Sequence, residues 1–78
     1  MKNTVVENKE ISIFRTSVVD TGDIQKIEYL LNTIVGKRNW NFDLEDKDNI
    51  LRINASLSVN SFLAQELRKS GFECTELW

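Results

Sequence analysis

Asp20 and Asp23 stand three positions apart, just ahead of a run with helical periodicity, and are the side chains best placed to hold a ligand. Carboxylates at that spacing can converge on a hard divalent cation, which makes the pair the weak metal candidates of this chain. The same two residue types also accept hydrogen bonds from the free N–H groups of a helix start, and capping is the expected role. A second acidic group, Asp43, Glu45, Asp46 and Asp48, lacks the glycine and the distal bidentate glutamate of a calcium loop. It is expected to be a solvated hairpin tip.

Nucleophilic chemistry fares worse. The chain has no histidine and a single cysteine, Cys74, so a Cys-His pair is impossible and the thiol is expected to be structural. No Ser-Lys pair, glycine-rich phosphate loop or paired-carboxylate motif takes the place of the missing base. The chain is therefore not expected to be an enzyme, and no cofactor is expected. Lys37-Arg38 and Arg68-Lys69 are basic pairs at helix ends, where the helix dipole explains them; an anion pocket is the alternative.

The elements that position these residues must come from 78 residues, enough for one core and no more. A hydrophobic share of 41% can repay the ordering entropy, which argues against disorder. Ten basic residues against twelve acidic ones give no broad positive field, so nucleic acid is not an expected partner. Without an apolar run near ~18 residues a membrane is not expected either, and the polar opening stretch points to a cytoplasmic protein.

Residues 1–9 are read as a flexible lead-in, and residues 10–78 as a single domain. Glu10 to Val18 is rich in β-branched and aromatic residues and predicts a strand. Ile24, Ile27, Leu30, Leu31 and Ile34 recur at helical spacing and predict a helix ending near Gly36. Trp40, Phe42 and Leu44, then Leu51, Ile53 and Ala55, alternate with polar or outward residues and predict a hairpin turning over 45–49. Ser58 is the expected cap of a second helix whose face holds Val59, Phe62, Leu63 and Leu67, stopped by Gly71. Phe72 to Leu77 predicts a short edge strand.

The order β-α-β-β-α-β is that of the ferredoxin-like sandwich, an α+β fold with two helices on one face of a four-stranded antiparallel sheet. Its expected core is Phe14, Val18, Ile27, Leu31, Trp40, Phe42, Leu51, Ile53, Phe62, Leu63 and Leu67.

The segment from Val18 to Leu31 resembles the start of a heavy-metal-associated domain, the fold of small copper chaperones. The Ile27-Glu28 pair fixes the alignment, and the likeness continues softly through WNFDLE at 40–45, ILRI at 50–53 and Lys69-Ser70-Gly71-Phe72. That family carries a Met-x-Cys-x-x-Cys loop, which the alignment sets on Val18, Asp20 and Asp23. All three positions are replaced. Soft ions need thiolate or thioether ligands, so the resemblance implies the fold without transition-metal transfer. The chain looks like the cysteine-free members of bacteria, whose function is generally unassigned.

The sheet face away from the helices is the more promising surface. Strand parity puts Ile11, Ile13 and Ile50 there beside Arg15 and Arg52, an apolar patch with a cationic rim. The expected function is a protein-interaction module that binds a protein partner or forms a homodimer through Ile11, Ile13, Ile50 and Arg52. The alternative is a small-ligand or hard-cation sensor built on the loop at Asp20 and Asp23.

Overall fold

A computed structural model describes residues 9–77. The lead-in expected over residues 1–9 lies outside them apart from Lys9. Six elements follow in the order β1 (Glu10–Thr16), α1 (Thr21–Ile34), β2 (Trp40–Asp43), β3 (Ile50–Ala55), α2 (Leu57–Lys69) and β4 (Cys74–Glu76). The strands form one antiparallel sheet in the order β2-β3-β1-β4, with β1 and β3 central. This is the α+β, ferredoxin-like arrangement the sequence predicts.

Each helix is set by local chemistry at its ends. Asp20 caps α1 by accepting a hydrogen bond from the Asp23 N–H at 2.9 Å, while the Asp23 carboxylate accepts one from the Val19 N–H at 3.0 Å. The pair is a reciprocal cap, each carboxylate taking one free donor. Gly36, at φ 91°, ends the helix by giving its N–H to the Asn32 carbonyl. The second helix starts two residues earlier than expected. Its cap is Ser56, whose hydroxyl accepts from the Val59 N–H at 3.3 Å, rather than Ser58. Gly71, at φ 99°, closes it, with the Gly71 N–H on the Arg68 carbonyl and the Phe72 N–H on the Leu67 carbonyl.

The core fills the space between the helices and one face of the sheet. Phe14, Val18, Ile27, Leu31, Leu51, Ile53, Leu63 and Leu67 are buried, and Trp40 and Phe42 pack against them while partly exposed. Phe62 departs from expectation, being 50% exposed. The buried stripe of α2 is Asn60, Leu63, Ala64 and Leu67, so the helix is rotated away from the face that would bury Phe62. Asn60 explains the rotation. It is 1% exposed, and its Nδ2 donates to Ser12 Oγ at 2.8 Å and to the Glu10 and Ala55 carbonyls at 3.1 and 3.3 Å. Its Oδ1 has no hydrogen-bond partner among the described residues.

The acidic tip at 43–48 is a turn built by its own side chains. Asp46 Oδ1 accepts from the Asp48 N–H at 2.8 Å and the Asp46 carbonyl from the Asn49 N–H at 2.9 Å, with Asn49 in the left-handed region at φ 50°. Asparagine tolerates that region better than most residues. Thr16 fastens the turn to the end of β1 by donating its hydroxyl to the Asn49 carbonyl at 2.7 Å. Among the described residues, no helix is long and apolar enough to cross a membrane.

Candidate functional site: the open face of the sheet

Ladder register lays out the surface away from the helices in rows. Thr75, Arg15, Ile50 and Asp43 form one row across the four strands. Ile13, Arg52 and Asn41 form the next. Ile11 and Asn54 come last, with Asn39 beside Asn54, whose N–H donates to the Asn39 carbonyl at 2.8 Å. Parity therefore brings together all four residues singled out from the sequence, Ile11, Ile13, Ile50 and Arg52.

Their exposure separates them. Ile11 is 65% exposed and Ile13 37%, whereas Ile50 is only 5% exposed and offers a partner almost nothing. Ile50 lies between Arg15 and Asp43 in its row, and both neighbours are drawn into ion pairs, Arg15 with Asp48 at 3.8 Å and Asp43 with Arg52 at 3.7 Å. Arg52 also reaches Asn41 Oδ1 at 3.4 Å. Side-chain direction was legible from the alternation, but the flanking by paired charges was not.

The structure adds a feature that sequence reasoning did not assemble. A pocket of about 190 Å³ opens where Ile11, Arg52 and Asn54 meet Arg38, Asn39 and Asn41, with Trp40 and Ile53 completing its wall. It presents two guanidinium groups and three amides beside an isoleucine. Asn39 is held in place by donating its Nδ2 to the Val35 carbonyl at 2.6 Å, and Trp40 by donating its Nε1 to Asn32 Oδ1 at 2.8 Å. The signal was available: Asn41, Arg52 and Asn54 share the parity of the open face, and Arg38 lies two residues before β2.

The other candidates lie elsewhere. The carboxylates of Asp20 and Asp23 each take a backbone N–H at the start of α1, and Asp23 has Lys26 at 3.8 Å. Among the described residues no group of three or more His, Cys, Asp or Glu side chains is arranged to hold a metal ion. Cys74 is buried on the helix side of β4, and burial pushes its thiol up to about 11, with Arg68 pulling the other way. A thiol held protonated in this way is a poor nucleophile near neutral pH.

Comparison with known proteins gives no relative. No family model matches the chain, and neither the curated proteins nor the solved structures return a match. The functional reading therefore rests on the geometry of this surface and on the residues that line it.

Proposed function

We propose that the chain is a non-catalytic, cytoplasmic protein-interaction module that binds a protein partner through the open face of its sheet. In this reading it is a degenerate heavy-metal-associated-like domain that has lost transition-metal transfer. The observation that carries the proposal is the side-by-side placement of Ile11 and Ile13, both exposed on adjacent rows, with the pocket of Arg38 and Arg52 at their flank. Large apolar side chains next to guanidinium groups are a composition found in interface cores and at their edges. The matching partner surface offers an apolar side chain to the isoleucines and a carboxylate to the arginines. The cation-sensing alternative lacks such support, because both loop carboxylates are engaged by backbone donors.

The test is parallel capture from a lysate of the source organism on immobilised wild-type chain and on the Ile11→Asp/Ile13→Asp variant. Both substitutions fall on exposed positions, and circular dichroism checks that the variant is folded. A protein retained by the wild type and lost by the folded variant supports the proposal. Identical capture by both would dismiss the open face as the binding surface.

A further inference from the structure

The outer edge of β2 is unusual in what it leaves uncovered. The Asn54 N–H to Asn39 carbonyl bond marks residues 39 and 54 as a hydrogen-bonded pair of the β2-β3 ladder. Such pairs alternate along an antiparallel ladder, so Asn41 and Asp43 turn their backbone groups toward β3, and Trp40 and Phe42 turn theirs outward. At the edge of the sheet those outward groups meet no further strand among the described residues. Of the usual protections of an edge, β2 has its short length and the charge of Asp43, but it reads WNFD and contains neither proline nor lysine. Its partly exposed aromatics, Trp40 and Phe42, sit edge to face with centroids 6.0 Å apart.

We propose that β2 pairs with β2 of a second copy, antiparallel across a two-fold axis at Asn41, to give one continuous eight-stranded sheet. A two-fold axis perpendicular to the sheet keeps the faces distinct, so residues of like parity must meet. Centring on Asn41 sets Trp40 opposite Phe42 of the other copy, and the reverse, and these are the residues whose N–H and carbonyl groups point outward. The pairing therefore uses strand residues alone; centring on Phe42 instead would require Leu44, which lies beyond β2. The same register joins the four aromatics across the seam on the helix side, a favourable cross-strand combination.

Charge agrees with this occupant. Lys37 and Arg38 lie just before β2, while Asp43 closes it and Glu45 and Asp46 follow. Antiparallel pairing brings the basic end of each strand to the acidic end of the other, and sets Asp43 opposite Asn39. The proposal goes beyond binding at the open face: edge pairing leaves Ile11 and Ile13 uncovered on the continuous sheet, while Arg38 and the β2 wall of the pocket border both surfaces.

The experiment combines sedimentation equilibrium of the full chain over a concentration series with amide hydrogen exchange by NMR at its two extremes. The expected result is a monomer-dimer equilibrium in which the Trp40 and Phe42 amides gain protection on dimerisation, while the Asn41 and Asp43 amides, already bonded within the chain, change little. Lys37→Glu/Arg38→Glu should weaken the dimer, and adding Glu45→Lys to that variant should recover part of the loss. Three results would each overturn the proposal: a monomer up to millimolar concentration, a dimer whose Trp40 and Phe42 amides exchange as in the monomer, or charge reversals without effect on the mass. Failure here leaves the open-face capture experiment unaffected.

Discussion

The thiol of Cys74 makes a burial effect measurable from outside. Burial raises its pKa from 9.0 to about 11, against the opposing pull of Arg68. Between those two values the unfolded chain releases the thiol proton and the folded chain keeps it, so unfolding becomes easier as pH rises. The contribution is fully present below pH 9 and is lost toward 11, at a rate approaching about 1.4 kcal/mol per pH unit. Urea unfolding from pH 8 to 11 should show the fall in the wild type, and Cys74→Ala, with a lower starting stability, should show a shallower one. Parallel curves for the two proteins would mean that the thiol titrates alike in both states. Asp20 offers a second test at this scale. Its replacement by alanine frees the Asp23 N–H it now satisfies and should lower stability by about 0.5–2 kcal/mol in urea unfolding, whether or not Mg²⁺ or Ca²⁺ is present. Stabilisation of the wild type by either ion, lost in the variant, would instead mark the loop as a cation site.

At the scale of the element, the rotation of α2 has a direct test in two adjacent residues. Leu63 is fully buried and Phe62 half exposed. Leu63→Ala should cost about 2–5 kcal/mol as a core truncation. Phe62→Ala should cost no more than about 1 kcal/mol, despite removing the larger side chain. Equal losses would put the two side chains in equivalent surroundings, contrary to the stripe seen here. The same helix shows what the sequence could and could not disclose. The period and length of α2 were plain from its leucines and from Gly71, but its phase was not, because a buried asparagine was not expected at an apolar position. Asn60 takes it through three acceptors that only tertiary folding brings together, two of them backbone carbonyls of separate strands. Its cap was ambiguous for a related reason: Ser56 and Ser58 are two residues apart, and hydroxyls at both positions are chemically able to cap. By contrast β3 spans the residues its alternation predicted, and β4 covers only Cys74–Glu76 of the predicted span, with the Leu77 N–H still donating to the Ile13 carbonyl at 2.8 Å. The candidate surface was half legible. Parity gave its face, but the burial of Ile50 and the meeting of Arg38, Asn39 and Asn41 with Arg52 and Asn54 depend on how β2 and β3 come together.

The whole molecule is held by its packing more than by its charges. Four ion pairs occur among the described residues, at 3.3–3.8 Å, and each involves a substantially exposed partner. Surface pairs of this kind contribute roughly 0–1 kcal/mol each, and salt near 1 M shortens the screening length to about 3 Å. Raising NaCl from 0.1 to 1 M should therefore leave the Tm unchanged or slightly higher. A drop of several degrees would show that the Arg15–Asp48 and Arg52–Asp43 pairs hold the sheet together.

The grip of Asn60 also bears on how readily the open face can be used. Its amide holds the Glu10 carbonyl and the Ser12 hydroxyl, the residues on either side of Ile11, from the opposite side of the sheet. An exposed isoleucine on a loose strand would have to surrender backbone freedom on contact, at about 1–2 kcal/mol per residue. Here the strand is already fixed, and only the rotamers of Ile11 remain to be ordered, at about 0.5–1 kcal/mol. For the partner proposed at this position, the entropy of recognition would be largely settled at folding, by a helix residue buried on the other side of the sheet.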